Sequence, residues 1–319
     1  MGVISALRGS TLSNEHPDAP QSSACLNCAT PLSGPFCSHC GQRDVPPYPS
    51  VRELVVDAFW ELSGWDGRFA STIRALALKP GLLTREFLEG RRARYISPLR
   101  LYLMASLVYF LVAAAAPDVT LSNGQKVHLG VLTSASRKNG QTAPERVADA
   151  AENAVRTGRA ITPEKRDSIA TQITRAPSVM RPFLQRMIFD PAGFKRGIVE
   201  AMPKMLFALL PVFAAIVAIF YRKRKYPEHL YFAIHLHAFV FVALTIAMLA
   251  KFTHVAIITG VMSFAVIVWI PIYTTIAFRR AYGGSLAATL AKEAGISAIY
   301  GSSWLVAFIA TLYIVSRFG

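Results

Sequence analysis

The sequence predicts an all-α polytopic membrane protein, and three observations carry this prediction. The mean hydropathy of the 319 residues is +0.36, which is higher than that of most soluble chains. The apolar residues collect in five blocks, each about as long as the ~17–25 helical residues that cross a bilayer core. Many of the positive charges, which give a net charge of +15, stand beside these blocks. The predicted spans are residues 99–116, 204–221, 230–250, 255–278 and 296–315.

Residues 1–24 precede any predicted helix. They are polar and rich in Ser and Pro, which is typical of a disordered tail. They contain no apolar stretch of signal-peptide length, so the tail is expected to stay on the mature chain.

All four cysteines lie between residues 25 and 41, as two C-x-x-C pairs, Cys25 with Cys28 and Cys37 with Cys40. Each pair turns two thiolates toward one point, and the short segment between the pairs lets them face each other around a tetrahedral Zn²⁺. Gly41 can adopt the backbone angles that such a turn requires. The spacing therefore predicts a zinc ribbon, with His39 as a bystander and a structural rather than catalytic role.

Two disulfides and a rubredoxin-like iron site are the open alternatives for the cysteines. A reducing compartment disfavours disulfides, whereas iron is compatible with four thiolates. The segment around the cysteines carries little positive charge, so nucleic acid is not an expected partner.

Residues 42–98 predict a cytoplasmic linker with amphipathic helices. A Pro-rich joint at 45–49 precedes a helix that begins near Ser50. A second helix is expected from Asp66 to Lys79-Pro80-Gly81, and Pro98 is a natural first residue for the first span.

The basic residues predict the orientation in the membrane. Clusters precede the first span and follow the second and fourth, whereas the short segments on the opposite side contain only Lys251 and Arg317. The positive-inside rule therefore places the N-terminus in the cytoplasm and the C-terminus outside. The clusters are Lys79, Arg85, Arg91, Arg92, Arg94 and Arg100, then Arg222, Lys223, Arg224 and Lys225, then Arg279, Arg280 and Lys292.

Residues 117–203 are expected to form a mostly helical extracytoplasmic connector. Asn123-Gly124 predicts a two-residue hairpin turn, and Thr142 and Thr162-Pro163 predict helix starts. An apolar stripe follows that is suited to rest on the outer leaflet. Its members are Phe183, Leu184, Met187 and Ile188.

The predicted spans contain no Asp or Glu, which argues against ion-coupled transport. Their polar candidates are His235 and His237 in the third span and His229 at its cytoplasmic end. Residues two apart project on nearly opposite sides of a helix, so His235 and His237 do not readily grip one ion. Interhelical hydrogen bonding and a functional pocket both remain open for these histidines.

Other features of the spans have packing interpretations. Pro211 and Pro271 lie inside the second and fourth spans, and Ser297 with Gly301 offers a small-residue contact in the last one. The chain contains no phosphate loop, nucleophile elbow or H-E-x-x-H pair, so the sequence favours a protein that is not an enzyme.

Three segments together resemble a bacterial membrane family of unknown function, identified as the domain-of-unknown-function family 3667. The segments are the double knuckle that ends in Phe36–Gln42, the stretch from Leu78 to Gly81 with the run Gly90–Pro98, and Tyr226–Phe239. The resemblance implies an N-terminal zinc ribbon on a helical inner-membrane protein, and it supplies no reaction or substrate.

Two functional hypotheses follow. The first is a docking, regulatory or scaffold protein of the bacterial inner membrane whose zinc ribbon presents a surface to a cytosolic protein partner, while the bilayer solvates the spans. The second is a membrane enzyme or metal-dependent pore centred on His229, His235 and His237.

Overall fold

The computed structural model describes residues 23–44, 68–116, 119–120, 126–127 and 163–318. The helix that was expected to begin at Ser50, the Pro-rich joint at 45–49 and the helix start at Thr142 lie outside these residues. The described helices are α1 (Arg68–Leu78), α2 (Leu82–Leu88), α3 (Pro98–Ala115), α4 (Pro163–Thr174), α5 (Arg181–Phe189), α6 (Pro191–Phe220), α7 (Tyr226–Leu249), α8 (Ala256–Tyr282) and α9 (Leu286–Phe318). A 3₁₀ turn, Ala250–Thr253, extends α7.

Five of these helices, α3 and α6 to α9, are long and apolar enough to cross a membrane, which confirms the predicted number. The first begins at Pro98, as expected, because proline lacks the backbone N–H that a first helical turn leaves unbonded. Helices α6 and α9 begin well before the predicted spans. Hydropathy marks only the part of a helix that lipid would solvate, whereas the helix itself continues into polar turns.

Helix α7 is the centre of the bundle. It packs against α3, α6 and α8. In its most apolar stretch of 18 residues 56% of the residues are buried, compared with 6% in the corresponding stretch of α9. Its aromatic side chains interlock with neighbouring helices, since Phe232 contacts Phe278 and the Phe239 ring stacks on Tyr273. The outer helices α8 and α9 leave many large apolar side chains exposed, as expected of helices that face lipid.

The short helices α1 and α2 form a hairpin that packs on α7 and α8. Its turn, Lys79-Pro80-Gly81, ends α1 as the sequence predicted. The Tyr273 hydroxyl donates to the Leu76 carbonyl at 2.7 Å, and the Arg280 guanidinium donates to the Pro80 carbonyl at 2.7 Å. The hairpin therefore lies at the end of the bundle where α8 stops and α7 begins.

The same end of the bundle, here called the ribbon end, carries the cysteine segment and two basic turns. His229, in the first turn of α7, contacts Tyr282, the last residue of α8. The cysteine segment touches residues 90–93, which lead into α3. The basic residues gathered at the ribbon end include Arg222, Lys223, Arg224, Lys225, Arg279 and Arg280.

The hairpin of the connector differs from its predicted form in its register. Val119–Thr120 (β1) and Lys126–Val127 (β2) pair antiparallel, but Thr120 faces Lys126, whereas a two-residue turn at 123–124 would place it opposite Val127. The register of the two strands therefore does not fit the predicted two-residue turn. Helix α4 begins at Pro163, as predicted.

Part of the apolar stripe of the connector packs against other helices of the protein. Ile188 is buried against Ile169 and Ile173 of α4, and the Phe183 ring meets Phe194 of α6 edge to face. Burial of this stripe joins α4, α5 and the start of α6 into one small cluster.

The predicted contact through Ser297 and Gly301 is not present in the described chain. Both residues are exposed, and a Cβ on Gly301 would meet no atom within 4 Å. The close approaches occur instead at Gly295, where a Cβ would lie 2.8 Å from the Phe220 ring, and at Gly197, where it would lie 2.7 Å from Val315.

Candidate metal centre

The structure brings together the four cysteines that the sequence singled out. Their sulfur atoms all lie within 4.8 Å of one another, with Cys25 and Cys40 3.6 Å apart and Cys28 and Cys37 3.6 Å apart. A tetrahedron with metal–sulfur bonds of ~2.3 Å has edges of about 3.8 Å, so the sulfurs fit around one tetrahedral ion. A disulfide requires ~2.05 Å between sulfurs, and the four cysteines are free. His39 is exposed and does not belong to the cluster.

The two knuckles share one backbone pattern. In the first, the Cys25 N–H donates to the Thr30 carbonyl and the Ala29 N–H donates to the Cys25 carbonyl, both at 2.8 Å. The second repeats both bonds, from Cys37 to Gln42 and from Gly41 to Cys37. This repetition presents the two pairs of sulfurs to the same point.

Ala29 and Gly41 occupy equivalent positions in the two knuckles, and both adopt the left-handed conformation, with φ values of 61° and 71°. The angle at Gly41 confirms the prediction from the sequence. Ala29 was not singled out, although it follows Cys28 just as Gly41 follows Cys40. The left-handed region costs a residue with a Cβ ~1–2 kcal/mol, so the first knuckle is strained where the second is not.

Exchanging these two residues should therefore change the metal affinity of the cysteine cluster in opposite directions. We expect Ala29→Gly to lower the metal dissociation constant several-fold, by about 1 kcal/mol after the entropy cost of glycine, and Gly41→Ala to raise it. Because a Cβ on Gly41 would meet no atom within 4 Å, its effect reports backbone conformation alone. Competition against a chromogenic chelator measures both, and a weaker site in Ala29→Gly would contradict the assignment.

The thiols differ in their surroundings. Hydrogen bonds from the Thr30 hydroxyl and backbone N–H lower the pKa of Cys28 to about 5. Burial raises the pKa of the Cys25 thiol to about 11. The surroundings therefore favour the thiolate form at Cys28 and disfavour it at Cys25, where a bound cation would promote ionisation.

The cysteine segment, residues 23–44 and here called the ribbon, is attached to the bundle by Gln42, a residue of the second knuckle to which the sequence pattern assigned no role. Its side-chain amide donates to the Gly90 carbonyl at 2.8 Å, and its amide oxygen accepts from the backbone N–H groups of Arg92 and Ala93 at 3.1 and 3.2 Å. Leu26 of the first knuckle packs on Gly90 so closely that a Cβ there would lie 2.7 Å from its Cδ1 atom. The hydrogen bonds of Gln42 join residues about fifty positions apart, so no local sequence pattern indicates them.

The segment that Gln42 contacts is held to α2 by a partly buried ion pair. The Arg91 guanidinium donates two hydrogen bonds to the Glu86 carboxylate, at 2.7 and 2.8 Å, and also contacts Glu89. This pairing holds the pKa of Glu86 below its usual value. Gly90, with φ 81°, makes the turn that lets Arg91 fold back.

The three predicted histidines lie on α7 but contact different elements. The His235 Nδ1 atom is 3.1 Å from the Thr84 hydroxyl of α2, and the His229 Nδ1 atom is 2.9 Å from the Tyr282 hydroxyl of α8. His237 lies 2.8 Å from both the Ala233 carbonyl and the Tyr300 hydroxyl of α9, so both of its ring nitrogens are satisfied. The structure does not bring the three rings to one point, and the geometry favours interhelical hydrogen bonding.

Glu293 is an acidic residue that the predicted boundaries left outside the last span. Because α9 begins at Leu286, this residue lies two turns inside the helix, where the Thr275 hydroxyl of α8 donates to its carboxylate at 2.7 Å. The predicted spans themselves still contain no Asp or Glu, and this carboxylate lies within two turns of the start of α9. The helical pattern before residue 296 was the available signal.

The described helices and sulfur cluster define a class: a multi-pass helical membrane protein that carries, at one end, four cysteines close enough together to bind a metal ion. The family model described as Protein of unknown function (DUF3667) matches residues 66–110, which confirms the recognised family. The match covers the α1–α2 hairpin, the Gly90–Pro98 run and most of α3, and it includes neither the cysteines nor the histidines. No curated protein and no solved structure matched the chain.

Proposed function

We propose that the chain is a non-enzymatic protein of a bacterial inner membrane whose ribbon binds one structural Zn²⁺ and serves as a docking or regulatory module. The observation that carries this proposal is the cluster of four sulfurs within 4.8 Å. Four protein thiolates fill the coordination shell of zinc, so no position is left for a substrate or an activated water. Metal binding then supplies folding energy to a segment that is too small to form a core.

The proposed orientation places the ribbon end in the cytoplasm. It is supported by the basic turns Arg222–Lys225 and Arg279–Arg280, which share that end with the cysteines. Short basic segments stay on the cytoplasmic side. The thiolates then lie in a reducing compartment, where they remain available to a metal.

The proposed partner is a cytosolic protein that binds the outer face of the ribbon. The inner face, with Leu26 and Gln42, is occupied by residues 90–93 of the same chain. Phe36, next to the ligand candidate Cys37, is 60% exposed. An exposed aromatic ring next to a rigid metal site is a suitable anchor for a protein interface.

Capture of cytosolic proteins by membrane vesicles tests both the orientation and the partner. We expect inverted vesicles containing the full chain to retain a specific protein that right-side-out vesicles do not retain. Phe36→Ser should abolish retention, because loss of a buried aromatic anchor commonly costs about 2 kcal/mol or more, roughly a thirtyfold loss of affinity. Ser38→Ala, an exposed position on the same ribbon, is the matched control. Equal retention by the Phe36→Ser and wild-type vesicles would reject this surface.

The alternative function, an enzyme or pore built on the α7 histidines, has less support. The buried Nε2 atoms of His229 and His235 have no hydrogen-bond partner in the described part of the chain, which is the observation in its favour. Their Nδ1 atoms are directed to α8 and α2 respectively, so a shared ligand would require the rings to move.

A further inference from the structure

The inner face of the ribbon recognises a backbone shape. One glutamine side chain uses its donor and its acceptor on three peptide groups of the segment 90–93, and Leu26 fills the space that the absent Gly90 side chain leaves. A Cβ at position 90 would force the Leu26 side chain to shift, and the φ of 81° independently favours glycine. The surface therefore fits this segment of the chain in detail.

The position of Gln42 depends on the second knuckle. Its carbonyl accepts the Cys37 N–H at 2.8 Å, and it follows Gly41, whose left-handed conformation sets the direction of the chain. A ribbon without metal has little other reason to hold this turn, because the folding of a four-thiolate module is coupled to metal binding. The contacts of Gln42 and Leu26 with residues 90–93, here called the clasp, therefore depend on the turn that holds the sulfurs together.

The far side of the same segment is connected to the membrane helices. Arg91 pairs with Glu86 on α2, and close by on that helix Thr84, fully buried, contacts His235 inside α7. The Arg68 guanidinium also donates to the Ala93 carbonyl at 2.8 Å and so ties α1 to the same place. A displacement of residues 90–93 would act on both helices of the hairpin.

We infer that the zinc ribbon is a clasp for the chain's own segment Gly90–Ala93, and that metal occupancy controls how firmly the α1–α2 hairpin is seated against α7. This inference rests on the proposed zinc site. It adds an intramolecular partner, and it assigns to the metal an effect on the membrane bundle. Because coupling between two sites is reciprocal, loosening the clasp must weaken zinc binding by the same factor by which zinc favours docking.

Hydrogen exchange on the full chain in lipid nanodiscs tests the coupling. The proteins compared are the wild type with zinc, the wild type after chelation, Gln42→Ala with zinc, and Ser38→Ala with zinc as the matched control. We expect the amides of Arg92 and Ala93 and those of α2 to exchange about tenfold faster after chelation and in Gln42→Ala, since three hydrogen bonds of the clasp are lost. Ser38→Ala should behave as the wild type.

Zinc content separates failure of the inference from failure of the proposed site. Gln42→Ala is expected to retain one zinc ion per chain, with a dissociation constant raised about tenfold in competition with a chelator. If it retains zinc and α2 exchanges at the wild-type rate, the hairpin is seated without the ribbon and the inference is overturned. A wild-type chain that binds no zinc would instead overturn the metal site on which the inference rests.

Discussion

Replacing Cys37 with serine is expected to reduce the zinc content of the purified protein from one ion per chain to none. Cys37 is 3% exposed, and its sulfur lies 3.6 Å from the sulfur of Cys28, so it is one of the buried sulfur atoms of the cluster. Structural zinc contributes on the order of 10 kcal/mol to the folding of small four-ligand modules, and a serine hydroxyl is a poor replacement for a thiolate. Elemental analysis of the detergent-purified chain measures the ion directly.

His39→Ala is the matched control for this substitution. His39 lies between the ligands Cys37 and Cys40 but is exposed and outside the sulfur cluster, so its removal should leave the zinc content at one. Reactivity of the remaining thiols gives a second measurement, because an unfolded ribbon exposes Cys25. Full zinc content in Cys37→Ser, or loss of zinc in His39→Ala, would show that the ligand set has been assigned incorrectly.

The parts of this structure that the sequence predicted are those encoded by local patterns. Five apolar blocks gave five long helices, two C-x-x-C pairs gave one sulfur cluster, and Pro98 and Pro163 each opened a helix. Each of these patterns is predictive because its physical cause acts over a short stretch of chain. Lipid solvates a continuous apolar segment, each C-x-x-C pair sets the direction of its two sulfurs within one turn, and proline lacks the N–H that a first helical turn leaves unbonded.

The features that the sequence did not reveal depend on residues far apart in the chain. Gln42 is an ordinary polar residue until the segment 90–93 lies beside it, and Glu293 acquires a partner only when α8 brings Thr275 across. The histidines are an intermediate case. Helical geometry already indicated that His235 and His237 project on opposite sides of α7, but not which neighbouring elements lie there.

Gly81→Val is expected to destabilise the whole protein by about 2–5 kcal/mol, because position 81 combines a backbone requirement with a close contact. Its φ is 72°, in the left-handed region where a β-branched residue is poorly tolerated. A Cβ would lie 2.8 Å from the Ala277 carbonyl oxygen and 3.0 Å from the Ala277 Cα, both backbone atoms of α8. The hairpin would have to move away from α8 and lose its bond from Arg280 to the Pro80 carbonyl.

Two further variants separate the conformational cause from the steric one. Gly301→Val places the same side chain in open space on α9, where a Cβ meets no atom within 4 Å, and should change stability by less than about 0.5 kcal/mol. Gly81→Asn keeps a residue that tolerates the left-handed region but still adds a Cβ against Ala277. If the steric clash of the hairpin with α8 causes most of the destabilisation, the asparagine variant should lose most of what the valine variant loses in detergent unfolding measurements. Near-native stability of Gly81→Asn would instead assign the requirement at position 81 to backbone conformation and leave the hairpin free to shift on α8.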